Sequence, residues 1–153
     1  MTRRLFVFCF VLYLAPWFEA YSDSAPPLSR DNGLSIQRLV AGQRDLDRLA
    51  WNYRLWPESN PQSKPAFDLA LPMSATEQRV FDTRRLISAL RSRWNDPLAA
   101  SELQNELKRM VRNSKDPARL RERFVALGYD PALIYPLIVE PVVAARRARL
   151  AFE

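Results

Sequence analysis

The chain has 153 residues and a formal net charge of +6 at pH 7, from 23 Lys and Arg against 17 Asp and Glu. This length suits one modest domain, because a single core usually takes about 100 to 150 residues. Glycine is scarce at 3 residues and proline abundant at 12, which disfavours the glycine-rich hairpins of all-β folds and favours helices that start at prolines.

Histidine is absent, and Cys9 is the sole cysteine. The absence of histidine excludes the usual general base and the commonest metal ligand, and a single cysteine excludes an internal disulfide. The sequence also lacks a glycine-rich phosphate loop, a nucleophile elbow and a metal-ligand cluster. We therefore expect a non-enzyme with no catalytic residue, no metal site and no cofactor. Catalysis by carboxylates or lysine alone stays an alternative.

Residues 1–22 have the layout of a secretory signal peptide. Arg3 and Arg4 precede an apolar stretch from Leu5 to Phe18, and small and polar residues follow. The stretch is shorter than the roughly 20 residues that a transmembrane helix needs. We expect cleavage near Ser22 and a periplasmic or secreted protein. The alternative is an uncleaved signal that anchors the chain in the inner membrane.

The next segments are a tether at residues 23–33, which is rich in proline and serine, and a helical domain at residues 34–153. The domain opens with a helix predicted from Leu34 to Trp56, where Pro57 disfavours further helical geometry. Gly42 is expected to bend or split this helix. Its apolar stripe has three- and four-residue steps and consists of Ile36, Leu39, Val40, Leu46, Leu49, Ala50 and Tyr53.

Two capping boxes predict further helix starts. Ser74 with Glu77 begins a helix that runs to about Trp94, and Ser101 with Gln104 begins one at Glu102. The arginines between Arg79 and Arg93 are interpreted as a solvated face and not as a nucleic-acid interface. The acidic pairs Asp45 with Asp47 and Glu102 with Glu106 are interpreted as exposed helix residues.

Three Asp-Pro pairs also indicate helix starts, because aspartate caps the backbone and proline tolerates the first helical position. Gly128 is placed to end one of these helices in a left-handed conformation. The helix after the third pair carries Pro136 and Pro141, which should kink it or split it and leave an opening. The pairs are Asp96-Pro97, Asp116-Pro117 and Asp130-Pro131.

The second half of the chain contains ASELQNELKRM at 100–110 and DPARLRERFVALGYDPALIYPLIVEPVVAARRARL at 116–150. This order resembles the N-terminal helical domain of SurA-type periplasmic chaperones, relatives of the parvulin prolyl isomerases. The chain stops at Glu153, where the parvulin domain of those proteins would begin, so isomerase activity is not implied. The positions that match the family pattern are Leu127, Gly128, Asp130, Ile134, Ile138 and Leu150.

These observations predict an all-α fold, a single small helical domain of about five to six helices after the signal peptide. The resemblance implies an apolar groove that holds unfolded polypeptide, as in a chaperone. The alternative is a structural or accessory subunit of an envelope complex, anchored in the membrane and permanently occupied by a partner polypeptide. Nucleic acid is not an expected partner. The candidate peptide-binding residues are Phe124, Tyr129, Ile134, Tyr135, Ile138 and Val142.

Overall fold

The computed structural model describes residues 35–152, and all regular secondary structure within them is helical. The predicted all-α fold is therefore confirmed. The predicted signal peptide at 1–22 and the tether at 23–33 lie outside the described residues.

The helices follow one another with short connections. The last three elements join without a break, and counting them as one gives six helices between residues 35 and 152, as expected. The elements are α1 (Ile36–Tyr53), α2 (Phe67–Ala70), α3 (Met73–Arg93), α4 (Ala100–Asn113), α5 (Pro117–Ala126), α6 (Pro131–Ile134), the π-helical segment π1 (Tyr135–Val139) and α7 (Glu140–Phe152).

Two of the three Asp-Pro pairs begin helices as predicted. The Asp116 carboxylate accepts a hydrogen bond from the backbone of Arg119 at 3.1 Å, and the Asp130 carboxylate accepts one from Ala132 at 2.9 Å. The first pair does not begin a helix, because α4 starts only at Ala100. The Asp96 carboxylate instead pairs with Arg147 of α7 at 3.3 Å, so it is engaged elsewhere.

Both predicted capping boxes are wrong. Helix α3 begins directly after Pro72, and α4 begins after Ala99, and neither start has a hydrogen bond from a capping side chain. Ser74 and Ser101 therefore lie inside the first turn of their helices. Helix α3 begins before Ser74 because Pro72 has a φ near the helical value, so the helix can start at the next residue.

Helix α1 ends at Tyr53, three residues before the predicted end at Trp56. Lys64, a residue of the linker to α2, donates from its ammonium group to the carbonyls of Trp51 and Arg54 at 2.8 Å each. A cation at this end satisfies carbonyls that the helix leaves open and complements the helix dipole. A residue of the following linker thus caps the end of α1.

The end of α5 follows the prediction. Gly128 has a φ of +62° and its amide donates to the carbonyl of Val125 at 2.8 Å. Tyr129 also has a positive φ, of +54°, and its amide donates to the carbonyl of Phe124 at 2.8 Å. These two bonds are the pair that defines a Schellman motif.

Pro136 and Pro141 interrupt the α-helical bonding pattern as predicted, but they do not split the helix, since π1 joins α6 to α7 without a gap. Each proline lacks the amide that would bond to the carbonyl four residues earlier. In π1 the bonds reach five residues back, as from the amide of Glu140 to the carbonyl of Tyr135. The wider turn keeps the chain helical where an α-helix would break.

The continuous helix from α6 through π1 to α7 is the centre of the domain. It packs against α1, α3 and α4. Its residues supply much of the core, since Val139, Val143 and Ala144 have no accessible surface. The partners of this helix contribute Leu39, Leu46, Val80, Leu90, Leu103 and Leu107.

Gly42 does not bend or split α1, contrary to the expectation. It allows α1 to approach π1 closely, because a Cβ atom at this position would lie 2.8 Å from Cδ1 of Leu137 and 3.3 Å from Cδ2 of Leu127. The glycine is needed for packing and not for a turn.

We expect Gly42→Leu to lower the free energy of unfolding by about 1 to 3 kcal/mol, because the added side chain enters space held by Leu137. Ala41→Leu is the control, since Ala41 is exposed on the same helix and should change stability by less than about 0.5 kcal/mol. Urea unfolding followed by circular dichroism measures both. Equal effects of the two variants would contradict the close approach.

Helices α4 and α7 are joined by ion pairs. Glu106 is not exposed as expected, since only 3% of its side chain is accessible, and it accepts hydrogen bonds from Arg109 at 2.5 Å and Arg146 at 2.6 Å. These bonds lower the pKa of Glu106 from 4.5 to about 2, and the bond from Arg109 has the largest effect. Glu102 is partly exposed and forms a two-pronged pair with Arg147.

The depressed pKa of Glu106 predicts a pH dependence of stability. The ionised carboxylate stabilises the fold fully above about pH 4.5, and this contribution disappears as the pH falls towards 2. We expect Glu106→Gln to remove on the order of 2 to 3 kcal/mol at pH 7 and to flatten the stability curve between these pH values. Glu77→Gln, at an exposed position of α3, should leave the curve as in the wild type. An unchanged slope for Glu106→Gln would contradict the assignment.

Candidate functional site

A groove runs across α1 between α3 and α5. It consists of two adjacent cavities of about 580 Å³ and 180 Å³. Both cavities are lined by Asp47, Ala50, Arg54 and Arg79, so they form one elongated depression and not two separate sites. We call this depression the α1 groove.

The two ends of the α1 groove differ in chemistry. The larger cavity extends to α5, where Arg119 and Arg123 line it. The smaller cavity extends to α2, where Phe67 and Leu71 line it. A ligand that fills the groove would therefore meet cationic side chains at one end and apolar ones at the other.

The floor of the groove is apolar. Leu46 of α1 and Leu137 of π1 are nearly buried core residues whose edges face the larger cavity. Ala50 is exposed, and its small side chain leaves the middle of the groove open. Tyr53 is 39% accessible and completes the apolar lining at the end of α1.

The wall between α1 and α3 is held by Asp47. Contrary to the expectation of an exposed residue, Asp47 is buried. Its carboxylate accepts hydrogen bonds from Gln43 at 2.9 Å, from Thr76 at 3.0 Å and from Arg79. Asp45, two residues earlier, is exposed as predicted.

A buried arginine connects α1 to α2. Arg44 donates to the carbonyl of Leu71 at 2.6 Å, to the hydroxyl of Thr76 at 3.3 Å and to the carboxylate of Asp68. Its guanidinium also lies 4.1 Å from the ring centre of Phe67. These contacts fix the four-residue helix α2, which contributes no buried residue of its own.

The rim of the groove is strongly basic, with four arginines and a single carboxylate in the larger cavity. Arg79 binds Asp47, Arg119 pairs with Asp116 at 3.1 Å and lies 4.4 Å above the ring of Tyr53, and Arg54 lies 5.7 Å from the ring of Trp51.

Two pKa values at this end of the groove are shifted. Burial lowers the pKa of the Arg123 guanidinium, because nearby protein atoms displace water from it. The hydrogen bond that Tyr53 donates to Glu122 raises the pKa of the tyrosine, since ionisation would lose that bond. Tyr53 and Glu122 thus connect the end of α1 to α5.

The six residues proposed from the sequence are not brought together in this groove. Ile134, Tyr135 and Ile138 are at most 2% accessible and pack in the core, so they offer no surface to a partner in this conformation. Phe124 and Tyr129 are half-buried, and Val142 is 40% accessible on α7. Peptide binding by these residues stays a prediction.

The opening expected at Pro136 and Pro141 is filled. The cavity beside the two prolines has a volume of about 10 Å³, too small for a side chain of a ligand. Leu39 and Val80 occupy the space, because α1 and α3 pack against π1 there.

The sequence interpretation missed the α1 groove. A signal was present in Arg119 and Arg123, which are four residues apart and therefore lie on the same face of a helix. Ala50 was also assigned to the apolar stripe, although its small size makes an opening.

Residues 35–152 contain no group of three or more acidic side chains that could hold a metal ion. No single helix among them is long and apolar enough to cross a membrane. Helix α5 together with residues 131–151 meets that test only as a pair bent by 109°.

No protein-family model, no curated protein and no solved structure matches the chain. The resemblance to the SurA-type domain therefore stays an expectation from the sequence.

We expect Asp47→Ala to lower the free energy of unfolding by about 1 to 3 kcal/mol, because the buried hydroxyl of Thr76 loses its acceptor, as do Gln43 and Arg79. Asp45→Ala removes an equal charge from an exposed position whose partner Arg48 is 3.8 Å away, and should cost less than about 0.5 kcal/mol. Chemical denaturation of both variants gives the comparison. If Asp45→Ala costs as much, the network does not hold the groove wall.

Proposed function

We propose that the chain is an exported, non-enzymatic helical module that binds segments of unfolded or partner polypeptide in the α1 groove, as a chaperone does. The observation that supports this proposal is the open, elongated groove with an apolar floor. Export rests on the layout of residues 1–22, and the chaperone-like role agrees with what the family resemblance implies.

The shape of the groove favours an extended polypeptide over a compact small molecule. Two cavities joined along α1 accept successive residues of a chain, whose apolar side chains would reach Leu46 and Leu137. The total volume lies within the roughly 300 to 1,000 Å³ that is usual for binding pockets.

The chemistry of the rim also fits a polypeptide. Guanidinium groups donate hydrogen bonds in a planar fork, and the carbonyl oxygens of an extended backbone are suitable acceptors. Arg54 and Arg79 line both cavities and are positioned to donate along the length of such a segment. This part of the binding does not depend on the sequence of the segment, because every segment has these backbone acceptors.

The test is to block the groove with Ala50→Trp and to measure binding to an array of synthetic peptides that vary in apolar content. We expect the wild type to bind the apolar peptides and Ala50→Trp to lose at least tenfold in affinity, since the indole fills the space shared by both cavities. Fluorescence anisotropy with the strongest peptides gives the dissociation constants.

Ala100→Trp is the matched control, because Ala100 is exposed at the start of α4 and lines neither cavity. It should bind peptides as the wild type does. Absence of binding by the wild type, or an equal loss in both variants, would contradict the proposed function.

A further inference from the structure

The larger cavity of the α1 groove has an excess of positive charge that its own residues do not neutralise. Its lining contains Arg54, Arg79, Arg119 and Arg123 against the single carboxylate of Asp47. That carboxylate is buried and already accepts three hydrogen bonds. An anionic group on a ligand is therefore the natural complement of this cavity.

Arg123 is the arginine best placed to bind such an anion. Within residues 35–152 its guanidinium has no hydrogen bond, ion pair or ring contact, whereas the other three arginines of the cavity each have a charged or aromatic partner. Glu122 precedes it in sequence but accepts the hydrogen bond of Tyr53.

Arg123 is exposed on α5, so a ligand in the cavity can reach its guanidinium. Neighbouring atoms displace part of the water around its guanidinium, and no carboxylate replaces that water. An anion that entered the cavity would restore the lost interaction. A hydrogen bond between two charged groups is about twice as strong as one between neutral groups.

Arg119 is four residues before Arg123 and lies on the same face of α5. Its Nε atom pairs with Asp116, outside the cavity lining, and its guanidinium lies over Tyr53. The two arginines thus flank the end of the groove, next to the apolar floor. A carboxylate held between them would place the neighbouring residues of its chain over Leu46 and Ala50.

We propose that the α1 groove selects polypeptide segments in which an aspartate or glutamate lies next to apolar side chains, and that Arg123 binds that carboxylate. This inference rests on the proposed function and adds the chemistry of the ligand. Preference for the acidic residue comes from Arg123, and affinity for the apolar neighbours comes from the floor.

The test compares three synthetic peptides that differ in one central residue, Leu-Asp-Leu, Leu-Asn-Leu and Leu-Lys-Leu in the same uncharged background. We expect the wild type to bind the aspartate peptide about tenfold more tightly than the asparagine peptide, a difference of about 1.4 kcal/mol. The lysine peptide should bind most weakly. Arg123→Gln should bring the ratio of the first two affinities close to 1.

Arg112→Gln is the matched control, since it removes the same charge from an exposed arginine of α4 outside the groove. It should keep the tenfold preference. An equal loss of preference in both variants would mean that the general positive field acts, and would overturn the role of Arg123. Circular dichroism melting of Arg123→Gln checks that the fold is kept.

The outcomes separate this inference from the proposed function. Equal binding of the aspartate and asparagine peptides by the wild type would overturn the acidic preference and leave peptide binding in place. Failure of all three peptides to bind would overturn both. If phosphatidylglycerol vesicles bind in an Arg123-dependent way and the peptides do not, the groove takes a lipid headgroup and both proposals are wrong.

Discussion

The buried carboxylate of Asp47 is the interaction on which the shape of the domain surface depends. It joins α1 to α3 through Thr76 and Arg79, and Thr76 in turn accepts a bond from Arg44, which fixes α2. A charge can be buried at low cost only when hydrogen bonds replace its water, and here several donors do so. Polar groups therefore hold the junction between α1 and α3 that forms one wall of the α1 groove.

The described domain has two faces that differ in how their charges are paired. On the side of α4 and α7, the carboxylates of Glu102, Glu106 and Asp96 pair with arginines of the same two helices. On the side of α1 and α5, the arginines exceed the carboxylates. The positive charge of the chain, +6 in total, is therefore distributed unevenly over the surface. In the α1 groove the positive field lies beside an apolar floor.

Local signals in the sequence were reliable where neighbouring residues decide the structure. Asp116, Asp130 and Gly128 form their cap and turn within a few residues, and all three were predicted correctly. The paired prolines likewise produced the interruption in the last helix. The all-α fold follows from such signals, because proline-led starts and apolar stripes recur along the chain.

Features that need distant partners were not predicted. The burial of Asp47 depends on Thr76 and Arg79, which are 29 and 32 residues away, and that of Glu106 depends on Arg146, 40 residues away. No local pattern contains this information. The α1 groove was missed for the same reason, since its lining comes from α1, α2, α3 and α5. The burial of Ile134, Tyr135 and Ile138 shows that an apolar run beside prolines is compatible with a closed core.

The π-helical segment has a consequence for the direction of the last helix. A π turn takes up one residue more than an α turn, so every side chain after Val139 is rotated by about 100° relative to an uninterrupted α-helix. This rotation lets one continuous helix present Ile134 and Leu137 to one set of neighbours and Arg146 and Arg147 to α4. The two prolines thus set the direction in which the arginines at the end of this helix point, relative to the apolar residues at its start.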